Sequence, residues 1–263
     1  MKRSLPLLSF SFCVLVLVVC SCSIKEDRRD CPCYLEIELS ELAPELCPEV
    51  CLSIEGEGGF SYSRLLTAED YGSSITVKVP RTGVGVQAYY GAEAEGDSGR
   101  ADLSIPLGEE CPPLLLHYAY VDTSQDVARD TLRLHKDYCL LDIMMLSKNG
   151  EYPFSIAILG RVDGYEDDGR PHSGRFDVRD MTENEGSFFV RIPRQTDSSL
   201  ILEVYDDGDV LRRFALGEYI ASSGYDWSAP DLKDIKVKVD YSRLSITVSV
   251  GSWSESFLFD VVI

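Results

Sequence analysis

Residues able to do chemistry are few in this sequence and stand far apart. His117, His135 and His172 have no second histidine or carboxylate beside them at metal-ligand spacing, and each reads as a strand or loop histidine. The densest acidic stretch is Asp163-Gly164-Tyr165-Glu166-Asp167-Asp168-Gly169. Its carboxylates suit Ca²⁺, but a calcium-binding loop would need a ligand where Tyr165 stands and glycine where Asp168 stands. A solvated acidic loop is the expectation. Asp206 and Asp207 fall where a hairpin turn is expected, a poor place for a glycosidase pair. Trp227 and Trp253 with Tyr225 could form a sugar-stacking platform, although aromatics in β-sandwiches more often fill cores. There is no G-x-S-x-G elbow, no H-E-x-x-H helix and no glycine-rich phosphate cradle. The expectation is a non-enzyme with no metal and no cofactor.

The clearest chemistry is at the N-terminus. Lys2 and Arg3 precede an apolar run from Leu7 to Val19 that closes on Cys20-Ser21-Cys22. The run is too short to span a bilayer, which takes about 20 residues, and it has the order of a signal peptide. Ending on cysteines is the pattern of a bacterial lipoprotein signal, in which the cysteine becomes the first mature residue and receives acyl chains such as palmitate. Cys22, preceded by the small Ser21, is the expected lipidation site, with Cys20 behind bulky Val19 as the fallback. Lys25-Glu26-Asp27 resembles the signal that sends lipoproteins to the outer face of the outer membrane. Removing residues 1–21 takes away two bases and no acid, so the formal charge moves from −19 to −21. Such a surface does not bind nucleic acid, whose phosphates need Lys and Arg.

Six of the nine cysteines remain beyond the lipidation site: Cys31, Cys33, Cys47, Cys51, Cys111 and Cys139. An even count in an exported chain favours disulfides, and the sequence does not choose among the pairings.

The elements around these residues read as strands. Leu35 and Ile37 alternate with Glu36 and Glu38; Ile75, Val77 and Val79 with Thr76 and Lys78; Ile235, Val237 and Val239 with Lys236 and Lys238. A period of two marks a half-buried strand. Glu55-Gly56-Glu57-Gly58-Gly59, Asn149-Gly150 and Asp206-Asp207-Gly208-Asp209 supply turns. Helices are expected only as short pieces, around Thr67–Tyr71 and Leu216–Ser222. The apolar run Cys139 to Leu146 is expected to close a first core, and a boundary follows at Lys148–Pro153. No internal repeat is visible.

Several segments together resemble the FimB-like fimbrial anchor lipoproteins, the anchor subunits of type V-like fimbriae. They are Cys22-Ser23-Ile24-Lys25-Glu26-Asp27-Arg28, Asp30-Cys31-Pro32-Cys33, Leu216-Gly217-Glu218-Tyr219-Ile220, Gly224-Tyr225-Asp226-Trp227, Pro230-Asp231-Leu232-Lys233-Asp234-Ile235, Val239-Asp240-Tyr241 and Val250-Gly251-Ser252-Trp253. The resemblance implies an all-β fold of two tandem transthyretin-like antiparallel β-sandwich domains, 34–148 and 149–263, behind a signal peptide (1–21) and a lipidated acidic tether (22–33). It implies a lipid-anchored subunit that attaches a fimbrium to the outer membrane and limits its length, with the major stalk subunit as partner. Phe257, Phe259, Val261 and Ile263 share one face of a last strand, which either is donated to that partner or packs in its own domain. The rival expectation is a surface glycan-binding lipoprotein of a nutrient-uptake system, which requires an exposed Trp227 or Trp253.

Overall fold

The computed structural model describes residues 31–92, 94–95, 100–101, 103–146, 154–179, 181–184, 186–240, 245–250 and 257–260. Cys33–Ile263 forms one compact unit, preceded among the described residues only by Cys31 and Pro32. Its first strands are β1 (Cys33–Glu38), β2 (Glu49–Gly56), β3 (Phe60–Thr67), β4 (Ser74–Val79), β5 (Val84–Tyr90), β6 (Ala94–Glu95), β7 (Arg100–Ala101), β8 (Leu115–Val121), β9 (Val127–Thr131) and β10 (His135–Lys136). There follow β11 (Tyr138–Leu146), β12 (Ser155–Tyr165), β13 (Pro171–Val178), β14 (Thr182–Asn184), β15 (Ser187–Pro193), β16 (Ile201–Asp206) and β17 (Asp209–Phe214). A helix, α1 (Leu216–Ser222), precedes β18 (Ile235–Asp240), β19 (Ser245–Val250) and β20 (Phe257–Asp260).

Alternation decides which face each strand buries. Leu35 and Ile37 are fully buried while Glu36 and Glu38 point outward. The sheet β4-β1-β9 and the sheet β10-β8-β5-β2-β3 enclose a core containing Leu35, Leu52, Ile54, Leu66 and Val86. The sheet β14-β15-β11-β18-β19-β20 and the sheet β13-β12-β16-β17 enclose a second, around Leu141, Ile143, Ile158, Phe176, Leu202 and Val237. Burying such a side chain contributes roughly 1.5–3 kcal/mol. The fold is therefore two β-sandwiches in series.

The two sandwiches repeat one connectivity that no sequence repeat announces. β1, β2, β3, β4, β5, β8 and β9 correspond in order to β11, β12, β13, β15, β16, β17 and β18. In each set the first strand pairs antiparallel with the fourth and parallel with the seventh, and the second lies between the third and fifth. The sandwiches are antiparallel as expected, except for one parallel pair in each: β1 runs parallel to β9 and β11 parallel to β18. Parallel neighbours need a crossover, and here the chain makes it through the opposite sheet.

One correction concerns where one core ends. Cys139, Leu141, Ile143 and Met145 of β11 belong to the second core, with Leu141 opposite Val190 and Ile143 beside Val237. The chain therefore passes between cores at Asp137. Asn149-Gly150, expected as a turn, lies outside the described residues, and β11 and β12 on either side of it both belong to the second core. The segment from Leu103 to Cys111 also reaches across. Ile105 and Cys111 lie in the second core, and Ile105 N donates to Asp163 O at 2.7 Å.

A second correction concerns the cysteines. Cys33 and Cys47 lie in the first core, Cys111 and Cys139 in the second, and Cys51 is half-buried; these five are thiols rather than disulfides. They act as small apolar side chains. Burial pushes the Cys33, Cys47 and Cys111 thiols up and takes Cys139 to about 12. Cys31 is exposed.

The helix forms where expected. Gly217 is required there, because a Cβ would stand 2.3 Å from Ser198 O. Thr67, expected to open a short helix, instead ends β3, and a turn follows in which Asp70 N donates to Thr67 O.

Candidate functional site

The outward face of the five-stranded sheet is read off its register. One row across it is Leu65, Cys51, Tyr89 and Leu116; the next is Ser63, Ser53, Gln87 and Tyr118; the third is Ser61, Glu55, Gly85 and Tyr120. The first row is partly covered. Tyr89 and Leu116 pack with Leu103, Leu114 and Tyr165 in a small cluster that joins the two sandwiches. The third row is open. Between them lies the tip of the acidic loop, closed by Gly169 N donating to Glu166 O at 2.9 Å. Gly169, at φ +76°, brings this turn onto Leu116 and Tyr118. The loop expected as solvated keeps Glu166 and Asp167 exposed, while its Gly169 end is seated on the first sandwich.

The step between covered and open rows is a groove of about 390 Å³ lined by Ser53, Glu55, Glu57, Gly85, Gln87, Tyr118, Tyr120, Asp167 and Asp168. Tyr118 is 39% and Tyr120 68% exposed. Their rings lie down on β5 because glycines stand beneath them. A Cβ on Gly83 would be 2.1 Å from Tyr120 Oη, and one on Gly85 would be 3.6 Å from the Tyr118 ring. Tyr120 Oη donates to Thr82 O at 3.3 Å. Ser53 and Gln87 form the buried floor, where Gln87 Nε2 donates to Asp167 O at 3.3 Å. Asp168 receives Arg170 Nε at 2.6 Å.

Sequence reasoning missed this groove. Tyr118 and Tyr120 share a face at spacing two, a signal that was available. Leu114–Leu116 before them make the run read as generally apolar, and nothing local says that glycines lie on the neighbouring strand.

A second cluster holds the crossing between the sandwiches. Arg194 Nε donates to Asp137 Oδ1 at 2.8 Å, and its terminal nitrogens reach Trp227 O, Ala229 O at 2.7 Å and Pro230 O at 3.0 Å. Tyr165 Oη donates to Asp137 O and accepts from Arg194 N at 2.9 Å. Burial pushes the Asp137 carboxyl up against the pull of Arg194. Asp231 accepts from Lys136 N at 2.9 Å and Asp234 from Leu140 N at 3.0 Å. Thus Gly224–Trp227 and Pro230–Ile235, two of the segments behind the family resemblance, include the residues that grip the crossing.

The remaining expected residues are dispersed. His117 Nε2 meets Asp130 at 3.0 Å, His135 Nδ1 meets Asp231 at 3.4 Å and His172 Nδ1 meets Asp163 at 2.7 Å. Among the described residues, no three His, Cys, Asp or Glu side chains gather to hold a metal ion. Asp206 and Asp207 occupy the β16–β17 turn. Trp227 is half-buried against the second core, its ring 4.6 Å from that of Tyr225 in an edge-on contact. Trp227 is therefore no exposed platform. Phe257 and Phe259 lie on β20, which pairs with β19 at the edge of the six-stranded sheet. Cys20, Cys22, Lys25, Glu26, Asp27, Trp253, Val261 and Ile263 lie outside the described residues.

No family model and no curated protein matches the chain. Solved structures do. The chain is similar to a DUF1812 protein of Bacteroides thetaiotaomicron, described as a candidate for polysaccharide binding, at 14% identity and TM-score 0.61 over 86% of this chain and 98% of that one. It is similar to the fimbrial anchor protein Mfa2 of Porphyromonas gingivalis at 11% identity and TM-score 0.56, over 86% of this chain and 100% of that one. A candidate adhesin of Bacteroides ovatus matches at 9% identity and TM-score 0.55, over 87% of this chain and 95% of that one. At these identities the likeness is one of fold.

Proposed function

We propose that this chain is the lipid-anchored base of a surface fimbrium. It begins as a signal peptide (1–21); Cys22 then carries acyl chains in the outer membrane, and Lys25-Glu26-Asp27 directs it outward. The acidic tether 22–33 leads to two sandwiches that hold the major stalk subunit. One observation carries the reading: a lipoprotein signal precedes a two-sandwich body whose fold matches a fimbrial anchor protein over the whole of that protein. Several acyl chains hold a protein to a membrane stably, each buried CH₂ contributing about 0.8 kcal/mol. The acidic body is held by those chains rather than by charge.

Phe257–Ile263 is the segment proposed for stalk contact. Its described part, β20 (Phe257–Asp260), is the edge strand of its sheet and leaves one side of its backbone open for pairing among the described strands. The nutrient-uptake alternative loses its expected support at Trp227, which packs against the second core.

Deletion of the gene followed by imaging of the cells tests the proposal. Long or shed fimbriae are expected, and fimbriae of unchanged length and attachment would refute it. Deleting Phe257–Ile263 alone separates the two roles of the last strand. A folded protein with detached fimbriae marks a donor, and an unfolded protein marks a strand of its own core.

A further inference from the structure

We propose that the open outer face of β2, β5 and β8 is a binding groove for a neutral saccharide. The groove goes beyond the anchor reading and does not rest on it. Its volume, about 390 Å³, falls among those of small-molecule sites, roughly 300–1,000 Å³.

The floor points to a ligand rich in hydroxyls. Ser53 is only 3% exposed, lines the groove, and its hydroxyl makes no hydrogen bond among the described residues. Gln87 is 8% exposed and spends Nε2 on Asp167 O, while its Oε1 makes no hydrogen bond among the described residues. Both groups open onto the groove, and a sugar hydroxyl, donor and acceptor at once, pairs with either kind.

The wall points to a ligand with a flat apolar side. Tyr118 and Tyr120 lie two residues apart on one strand, about 6.7 Å by strand rise. Gly83 and Gly85 let their rings lie across β5. Outward ring faces of this kind stack against the C–H face of a pyranose. The rim points to the absence of negative charge in that ligand. Glu55, Glu57, Asp167 and Asp168 stand around the groove, and no Lys or Arg lines it. Carboxylates accept from sugar hydroxyls and repel sulfate, sialate and uronate. A basic peptide fits less well: Asp168 already binds Arg170, and the unmet floor groups are neutral.

The experiment uses the mature lipoprotein in a non-glycosidic detergent, on an array of neutral, sialylated and sulfated oligosaccharides, with a poly-lysine peptide as control. Neutral hits are followed by titration calorimetry. Binding of a neutral oligosaccharide is expected, weakened about tenfold or more by Tyr120→Ala, as loss of a stacking face predicts. Gly85→Leu, which fills the groove without touching either tyrosine's identity, is expected to weaken it too. Thermal unfolding of both variants confirms that they fold, and Ser53→Val replaces either one that does not. Binding of only anionic glycans, of poly-lysine alone, or of nothing overturns the proposal. So does neutral-glycan binding that the folded variants leave unchanged.

Discussion

On the outer face of the second sandwich, the buried Glu203 and Asp177 are paired with arginines; on the matching face of the first, the neutral Ser53 and Gln87 line an open groove. The strands correspond, β12, β13, β16 and β17 to β2, β3, β5 and β8, but the chemistry does not. In the second, Arg213 and Tyr205 both bind Glu203, Arg175 binds Asp177 at 2.8 Å and Arg179 binds it at 3.1 Å. Arg179 also stands 5.0 Å from the centre of the Tyr205 ring. That face satisfies itself, and a partner would have to break its pairs first. The first face holds small side chains, two tyrosines and the neutral Ser53 and Gln87, so among the described residues a ligand there meets no buried ion pair. One connectivity thus yields a closed face and a receptive one, and side chains alone make the difference.

The largest effect should come from opening the closed face. Arg213→Ala leaves the buried Glu203 carboxylate with Tyr205 as its remaining side-chain partner on that face and should cost about 1–3 kcal/mol in urea unfolding. Ser53→Ala, on the receptive face, removes a hydroxyl with no described partner and should change stability by no more than about 0.5 kcal/mol. Equal costs would erase the distinction.

Acid should act on the closed face next. Burial pushes Asp177 up, but hydrogen bonds from Arg179 and Arg175 outweigh it and hold the carboxyl below its ordinary value. A depressed folded pKa stabilises above the unfolded value, about 3.9, and that contribution is lost as pH falls through the folded one. Below about pH 4 the native chain should therefore lose stability that Asp177→Asn never had, as stability measured against pH would show. The smallest effect lies between the faces, at the acidic loop. The hydrogen bond to Asp163 raises the exposed His172, so its contribution is present below the unfolded value and fades as pH rises through the folded one. An NMR titration should place His172 above about 6.5, the usual histidine value, and Asp163→Asn should return it there.

Much of the architecture was legible residue by residue. Leu35, Ile37, Val237 and Val239 announce their buried faces by period two, and the Leu216–Ser222 helix lies where expected. Period two says which face a residue takes but not which strand lies beside it. Hence the parallel pairs β1–β9 and β11–β18 and the place of β11 in the second core were not readable. The apolar run of β11 serves either core equally well. The groove failed to show for the same reason, since Ser53, Gln87, Tyr118 and Asp168 come from three strands and a loop.

The sequence by itself determined the strand-built body, its net acidic charge and the absence of any recognisable catalytic motif, because each is written in local order or in composition. The tertiary structure alone decided which strands are neighbours, and so which polar groups are met. Arginines reach Asp177 and Glu203 across one sheet, while glycines under two tyrosines leave Ser53 and Gln87 open on the other. Satisfaction of a buried group depends on distances between residues far apart in the chain, and those distances exist only once it has folded.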